Sequence, residues 1–362
     1  MLRKLISNHK GDENVHNNLL KVSVFGFLAS ILLVGCGEID TDNGEGTGDE
    51  EGETAEGDVN LIAATQLDAE SAFAEGFARF QEVVEEESDG SVTVEIHTDG
   101  ALGGNEDELV QGLETGNVDL VAASPGFMTQ TVEEVDFFAM PYLFESTEHW
   151  ESVVDGEVGE TIANEIEDNT NFNILGYWSA GVRNVYGFEP VETPEDLEGL
   201  ELRSQDSTVV QNTWNALGAQ PSSVAWDEMY QALQNQVVDA SENDFTNIYQ
   251  ESHHEVASYI SETEHDYTTR LFFTADRIYD NLNEEQQEAV ELAAEEATIA
   301  AREADEELAE ESREALLEDG AEINEVDTEP FMEITEPVRE EAVEDLGMED
   351  LYQEVLDLAE EQ

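Results

Sequence analysis

The chain has 362 residues, of which 12 are Lys or Arg and 89 are Asp or Glu, so its formal net charge is −77. Such acidity excludes binding to the phosphate backbone of nucleic acids, which needs a basic surface. The length suits one large or two medium domains, and 40% hydrophobic residues are enough for a real core. The single cysteine excludes an intramolecular disulfide and argues against a thiolate metal site.

The few positive charges are unevenly distributed. Beyond residue 36 the chain has eight arginines and no lysine against 87 acidic residues. At ordinary ionic strength this much like charge strains a compact state. At molar salt the Debye length falls to about 3 Å and the repulsion becomes local. The composition therefore predicts a halophilic protein, adapted to concentrated brine, and says little about function.

The N-terminus is typical of an exported lipoprotein. Residues 22–34 form an uncharged, mostly apolar run, VSVFGFLASILLV, which is too short to span a membrane but suits a signal peptide. The run leads into Leu33-Val34-Gly35-Cys36, which resembles a lipoprotein box in which the cysteine thiol takes a lipid. Residues 37–58 are almost wholly Gly, Asp, Glu and Thr, a flexible acidic tether. We therefore expect a signal peptide in residues 1–36 and a folded part held by lipidated Cys36 at the outer face of the cytoplasmic membrane.

From residue 59 onward, strand and helix patterns alternate. In chain order they are a buried strand at 59–64, a helical stripe of Phe73, Phe77, Phe80 and Val84, an alternating strand at 92–96, a helix around Leu109, Val110 and Leu113, and strands at 118–122, 172–178 and 200–203. Strands that alternate with helices favour a parallel α/β sheet.

One unit of this pattern recurs. Residues 107–119 (DELVQGLETGNVD) and 227–239 (DEMYQALQNQVVD) align without a gap at an offset of 120, with six identities in thirteen. Chance similarity between two helix–turn–strand units is the alternative, but the repeat favours two lobes built on a related plan. Ligands of open α/β sheets lie beyond the carboxyl ends of the strands. Residues 123–124 and 242–243 are therefore predicted to be facing walls of a shared cleft.

A long helix follows the second unit. Asn283 and Gln286 form a capping-box signature, and the helical pattern continues to Asp319 with Gly320 as its stop. At 1.5 Å per residue the helix is about 55 Å long, enough to bridge both lobes. On this helix Arg302 is expected to pair with Glu306 one turn further on.

The sequence offers no support for catalysis. GxSxG, HExxH, P-loop and GxGxxG motifs in their required context are missing. The pair His253-His254 lies in a polar run, which favours a solvated face, whereas His265 has both a structural and a cleft-lining interpretation. We expect no enzyme, no cofactor and no metal site.

Two arginines lie outside the glutamate-rich helices. Arg183 lies in YWSAGVRNVYG, among aromatic and small residues, and Arg203 ends the predicted strand at 200–203. An arginine fork donates two parallel hydrogen bonds to a carboxylate, which fixes its geometry. With so many acidic residues present, a ligand carboxylate and a structural carboxylate of the protein itself are equally compatible with this pattern.

A resemblance to a known family favours a ligand carboxylate as the partner of these arginines. The motifs AEGFARFQEVVEEESDGSVTVEIHTDGALGG, MPYLFESTEHW, GVRNVYG, TPEDLEGLELRS, NALGAQPSSVAWDEMYQALQNQVVDASEN and HEVASYISETEHDY follow one another over residues 59–346. In order and spacing they resemble the solute-binding proteins of TRAP transporters, the DctP-like family. The resemblance implies an α/β, two-lobed periplasmic-binding-protein-like fold with a hinge and a long lobe-spanning helix. It assigns residues 59–180 plus 269–308 to lobe I, 181–268 plus 309–346 to lobe II, and 347–362 to a C-terminal helix.

The resemblance also implies a function and a site. The family binds an organic acid outside the cytoplasm and delivers it to a sodium-driven TRAP membrane permease. The corresponding ligand-binding residues are Arg203 as carboxylate clamp, Arg183 as second arginine, Asn243 as hydrogen-bonding amide, Trp226 as cleft aromatic and Gln66 as polar contact. The family often has His-Pro in the first loop, where this chain has Asp-Ala-Glu-Ser at 68–71. Dicarboxylates, 2-oxo acids, sugar acids and aromatic acids are therefore all candidate ligands.

Two other functions fit the same residues less well. A sensory binding protein would present an organic acid to a membrane receptor, and a surface hydrolase or lyase would turn the acid over. The first differs from a transport protein in its membrane partner, and the second needs catalytic residues that the sequence does not offer.

Overall fold

The computed structural model describes residues 57–129, 131–205, 207–225 and 228–360. The predicted signal peptide, Cys36, nearly all of the tether and Trp226 lie outside these residues. The strands are β1 Val59–Ala64, β2 Val92–His97, β3 Leu120–Ala123, β4 Phe172–Gly187, β5 Glu201–Arg203, β6 Gln220–Ser222, β7 Ala240–Asn243, β8 Tyr259–Ala275 and β9 Glu322–Glu325. The helices are α1 Ala72–Glu87, α2 Glu106–Thr115, α3 Thr147–Val154, α4 Glu157–Asn169, α5 Thr208–Ala216, α6 Met229–Gln234, α7 Phe245–Gln250, α8 Asp276–Tyr279, α9 Glu284–Glu318, α10 Glu329–Leu346 and α11 Glu349–Glu360.

The first half of the sheet is a β-α-β-α-β unit. β1 pairs in parallel with both β2 and β3, so the strand order is β2-β1-β3. Helix α1 begins at Ser71, whose hydroxyl accepts the Ala74 N–H at 3.3 Å, and its predicted stripe of Phe73, Phe77, Phe80 and Val84 is buried. Gly76 lets α1 approach α9 closely, because a Cβ there would lie 2.9 Å from that of Ala301.

The second half repeats this plan. β5, β6 and β7 are parallel in the order β6-β5-β7, and β7 begins 120 residues after β3. The aspartates that end the two repeats have the same role. Asp119 donates its N–H to Ile62 O (2.7 Å) and accepts the Ile62 N–H on its carboxylate (3.0 Å), and Asp239 makes the same pair of bonds to Glu201 (2.8 and 3.0 Å). The structure thus confirms the internal repeat.

Two long antiparallel strands join the halves. β4 and β8 pair along most of their length, β3 pairs with β8, and β7 pairs with β4, all antiparallel. The sheet is therefore mixed. The predicted parallel pairing is confirmed within each half and is wrong for β4 and β8, because the chain passes between the halves along β4 and returns along β8. Arg183 also lies inside β4 rather than after its end. The strand continues through a bulge at Gly181, whose φ of +76° favours glycine.

Four apolar clusters cover the two faces of the sheet in the two halves. Helix α9 packs Ala289 to Ala301 into a cluster of the first half and Leu316 into a cluster of the second. Its capping box of Asn283 and Gln286 and its C-cap at Asp319 confirm the predicted lobe-spanning helix. Helix α10 also contributes to both halves, through Phe331 and through Ala342 and Val343. The exact division into lobes stays a prediction.

Among the described residues, the helices lack a stretch both long and apolar enough to cross a membrane.

Candidate functional site

Three neighbouring strands bring the predicted arginines together. In the sheet, Arg203 of β5 pairs in parallel register with Ser241 of β7, and Asn243 of β7 faces Asn184 of β4. Arg203 and Asn243 are the last residues of their strands. Because these strands are parallel, both side chains lie at the carboxyl edge where ligands of α/β sheets bind.

Arg183 is held by the protein itself. Only 4% of the residue is exposed, and its Nε donates to the Glu242 carboxylate. Its two terminal nitrogens donate to Asn243 Oδ1 and to Glu242 O, each at 2.9 Å. Burial alone would lower the pKa of Arg183, but attraction by Glu242 outweighs it and raises the pKa above its ordinary value.

The partner carboxylate is equally buried. Burial would raise the pKa of Glu242, but Arg183 and His265 together hold it down at about 2. Glu242 is therefore an anion at every pH at which the protein is expected to work, and the two groups form a buried ion pair. Such a pair is costly to break, since removal of one partner leaves the other charge buried and uncompensated.

Arg203 lies in a different electrostatic setting. The residue is half-buried, and its Nε donates to Val224 O at 3.2 Å. Burial lowers the pKa of Arg203, attraction by Glu242 opposes this, and repulsion by Arg183 adds to it. The net lowering thus comes chiefly from the loss of solvent around the guanidinium.

Of the other predicted site residues that the structure describes, only Asn243 is brought into contact with Arg183. Asn243 is buried, and its Oδ1 accepts from Arg183 and from the Asp244 N–H at 3.0 Å. Gln66 follows β1 in the first half of the sheet, half-buried, and its Oε1 has no hydrogen-bond partner in the part of the chain that the structure describes. Trp226 lies outside that part.

The sequence did not decide whether His265 is structural or lines the cleft. The structure places it beside Glu242, the partner of Arg183. Its Nε2 lies 3.4 Å from Glu242 Oε2, and its Nδ1 lies 2.9 Å from Thr263 Oγ1. His265 and Glu242 line a small cavity together with Trp214, whose ring meets the imidazole edge-on at 4.9 Å between centroids. The repeat placed Glu242 on a wall of the predicted cleft without giving it a ligand role, whereas Trp214, a helix tryptophan, carries no distinguishing sequence signal.

The adjacent histidines are buried, so the predicted solvated face at His253-His254 is wrong. The His253 ring stacks on Tyr186 at 5.7 Å between centroids and its Nδ1 lies 2.8 Å from the tyrosine hydroxyl, whereas His254 stacks on Tyr249. Both rings pack into the second half because the 3₁₀ turn at 253–255 directs them inward. Within the described ranges, no group of three or more His, Cys, Asp or Glu residues is arranged to hold a metal ion.

A larger recess lies in the first half, lined by residues of α2, β4 and β8 and by Arg277. The Arg277 guanidinium donates to Leu113 O, Val118 O and the Asp119 carboxylate at 3.0 to 3.2 Å. Arg277 is thus committed to the end of α2 and the start of β3. The arginine pair of the second half is the better candidate for an acid-binding site.

Comparison with known proteins gives a consistent result. The family model for bacterial extracellular solute-binding proteins of family 7 (DctP) matches residues 63–345. A solute-binding protein of Sulfitobacter sp. NAS-14.1 is 28% identical over 315 residues, covering 83% of this chain and 92% of that protein. The C4-dicarboxylate-binding periplasmic protein DctP of Rhodobacter capsulatus is 30% identical over 279 residues, covering 76% of this chain and 83% of that protein.

Solved structures show the same fold. A TRAP periplasmic solute-binding protein from Chromohalobacter salexigens with bound D-glucuronate has a TM-score of 0.77 and 26% identity, covering 82% of this chain and 99% of that one. The Sulfitobacter TRAP protein with bound β-D-galacturonate has a TM-score of 0.74 and 27% identity, covering 83% of this chain and 98% of that one. The two-lobed fold implied by the resemblance is thereby confirmed.

Proposed function

This chain belongs to family 7 of the bacterial extracellular solute-binding proteins, the receptors of TRAP transporters, and on that premise we propose that it binds its organic acid through Arg203. The family role is to bind an acid outside the cytoplasm and to deliver it to a membrane permease. The match over residues 63–345 carries this function, because it spans both β-α-β-α-β units and the strands that join them.

The clamp assignment rests on the position of Arg203. The residue ends β5 at the carboxyl edge of the sheet, and its pKa is lowered by burial and by Arg183. A ligand carboxylate would offset the desolvation of the guanidinium and accept two parallel hydrogen bonds from the fork. Closure of the lobes would exclude water and strengthen the pairing well above its exposed value.

Arg183 and Asn243 support the clamp in different ways. Arg183 is bonded to Glu242 and Asn243, so its contribution is positive charge and a fixed position for the Asn243 amide. With its carbonyl oxygen engaged by Arg183, the Asn243 side chain is oriented to donate its NH₂ group. Gln66 and Trp226 complete the proposed site from the resemblance alone.

The ligand is first sought among the uronates. Two structural neighbours hold D-glucuronate and β-D-galacturonate, whereas the Rhodobacter relative is named for C4-dicarboxylates. A thermal-shift screen in molar NaCl should include uronates, C4-dicarboxylates, 2-oxo acids and aromatic acids. We expect at least one acid to raise the melting temperature and to bind stoichiometrically in calorimetry. If no acid in any class does so, the proposed function is wrong.

We also propose that the mature protein is anchored through lipidated Cys36. The support is the sequence Leu33-Val34-Gly35-Cys36 after an apolar run, followed by an acidic tether. The full-length protein should partition into the membrane fraction of a halophilic host, and Cys36→Ser should release it. Membrane retention of the Cys36→Ser variant would count against the anchor.

A further inference from the structure

We propose that the small cavity between Glu242 and Trp214 is a subsite for one ligand hydroxyl, so that the bound acid is a hydroxy acid. In this subsite the Glu242 Oε1 accepts from the hydroxyl and the Trp214 indole N–H donates to it. The inference rests on the proposed function, because the acid group of the same ligand is assigned to Arg203.

Two buried polar atoms without partners define the subsite. Glu242 is 2% exposed and Trp214 is 1% exposed. Within the described residues, Glu242 Oε1 and Trp214 Nε1 each have no hydrogen-bond partner, although Glu242 Oε2 bonds to Arg183. A buried carboxylate oxygen and a buried indole N–H left unpaired each cost free energy, so a group that satisfies both is strongly favoured.

The residues that carry these two atoms line one cavity. Glu242, Trp214 and His265 all line it, and the His265 ring contacts both of the others. One of the two atoms is an acceptor and the other a donor. A hydroxyl is the smallest ligand group that donates one hydrogen bond and accepts another. The unfilled space is on the order of one water-sized group, which suits a single hydroxyl.

The charges around the cavity favour a hydroxyl over a second carboxylate. Glu242 is ionised and already balances the charge of Arg183, and Asp266, which also lines the cavity, is a half-buried carboxyl group that accepts from Thr268 Oγ1 at 3.0 Å. A ligand carboxylate placed here would lie against two acidic groups in a low-dielectric site. A neutral hydroxyl avoids this repulsion.

Glu242 connects the subsite to the clamp. Its charge acts on Arg203, and Arg183, to which it is bonded, lines the same cavity. The lining also includes Ala139 and Pro141, which precede β4 and belong to the first half of the chain. The cavity is thus bounded from both halves, where a ligand held between them would extend.

Trp214→Phe tests the subsite directly, because it removes the N–H and keeps most of the ring. The probes are D-glucuronate, D-galacturonate and tetrahydropyran-2-carboxylate, which keeps the ring and the carboxylate but lacks every hydroxyl. We expect the variant to bind the tighter uronate about three- to tenfold more weakly, the range of one neutral hydrogen bond. Its affinity for tetrahydropyran-2-carboxylate, measured by competition, should not change.

The matched control is Trp178→Phe, because the Trp178 Nε1 is bonded at 3.2 Å to Thr298 Oγ1 in the protein. This variant should lose stability and keep its uronate affinity. As a second measurement, the ¹⁵N-labelled Trp214 indole resonance should shift with saturating uronate and not with the hydroxyl-free acid.

The outcomes separate the two proposals. Uronate affinity that is unchanged in Trp214→Phe, with an indole resonance that does not respond to the uronate, would overturn the subsite and leave only a water in the cavity. An equal loss for both acids would overturn it as well. If no acid binds the unmodified protein, the proposed function fails rather than the subsite alone.

Discussion

Arg183 of β4 and Arg203 of β5 lie on either side of β7 and differ in their surroundings. The buried Arg183 guanidinium donates to Glu242 and Asn243, whereas Arg203 is half-buried and its pKa is lowered. The anion Glu242 acts on both, but its carboxylate is bonded to Arg183. This difference is the reason that the proposed clamp is assigned to Arg203 and not to Arg183.

Replacing Arg203 should abolish tight binding. Arg203→Ala is expected to weaken binding of the acid by at least about 2 kcal/mol, or about 30-fold, because the ligand carboxylate is left buried and unpaired. Isothermal titration in molar salt measures this loss. Arg79→Ala is the matched control, since Arg79 pairs with Glu82 and Glu296 on the surface of the first half. Unchanged affinity in Arg203→Ala would remove the clamp assignment.

Replacing Arg183 should act mainly on folding. Arg183→Met leaves Glu242 charged in the core and should lower the free energy of unfolding by about 3–5 kcal/mol. The double variant Arg183→Met/Glu242→Leu replaces the pair by apolar groups and should recover most of this loss. Denaturant unfolding of both variants checks the prediction. Equal stability of the single and double variants would show that the ion pair is not the cause.

At the scale of elements, α9 is hydrogen-bonded to β4 at the point where β4 passes between the halves. The buried Asp305 of α9 accepts from Ser179 Oγ at 2.6 Å and from the Gly181 N–H at 2.9 Å, both at the bulge of β4. Asp244, the N-cap of α7, packs against Gly181. A Cβ at position 181 would lie only 2.5 Å from the Cβ of Asp244. The helix and the bulge are thus fixed to each other by one carboxylate.

This carboxylate should make stability depend on pH. Burial and, to a lesser extent, Asp244 raise the pKa of Asp305, while the hydrogen bonds from Ser179 and the Gly181 N–H and the charge of Arg270 lower it, and the resulting pKa is about 6. Because the folded pKa exceeds the unfolded value near 4, this contribution is full below pH 4 and is lost as the pH rises through 6. Relative to Asp305→Asn, the unmodified protein should lose up to about 3 kcal/mol of stability between pH 4 and pH 7.

Melting curves of both proteins at several pH values in molar salt measure this difference. The opposite effect of Glu242, whose pKa is lowered to about 2, sets in only as the pH falls below about 4.5, so the two windows are separate. A constant difference from pH 4 to 7 would contradict the assignment.

At the scale of the whole molecule, charge and core act against each other. Each half of the sheet is covered by apolar clusters on both faces, while the chain as a whole carries a net charge of −77. The buried pair of Arg183 and Glu242 is shielded from salt, whereas the repulsion among surface carboxylates is not. Salt should therefore relieve the repulsion without weakening the site.

The melting temperature should rise steeply with NaCl up to about 1 M, where the Debye length is about 3 Å, and then level off. Sodium sulfate at the same ionic strengths is the comparison, since it also strengthens apolar burial. A melting temperature that does not change with NaCl would contradict adaptation to brine.

Local sequence patterns predicted the elements well where one element decides its own structure. The strand at 59–64, the stripe on α1 and the capping box of α9 all depend on neighbouring residues and were confirmed. Arg302 shows the limit. Helical spacing predicts a pair with Glu306, but its fork binds Asp155 at 2.7 and 2.8 Å and lies over the Trp150 ring. That prediction was wrong because the Arg302 side chain is largely buried and also donates to Tyr177 O, which holds its fork beside Asp155 and away from its helical neighbour.

The sequence by itself determined the repeat, the long helix and the family, because periodicity, capping and ordered motifs are written along the chain. It also identified Arg203 and Arg183 as candidate carboxylate-binding residues, because positive charges are scarce in this chain and these two lie near predicted strands. Only the tertiary structure decided that β4 and β8 are antiparallel and that Arg183 is bound by Glu242. It alone brought Trp214 and His265 to the same cavity. These pairings join residues far apart in sequence, and among 87 acidic residues only packing selects which carboxylate is buried beside which guanidinium.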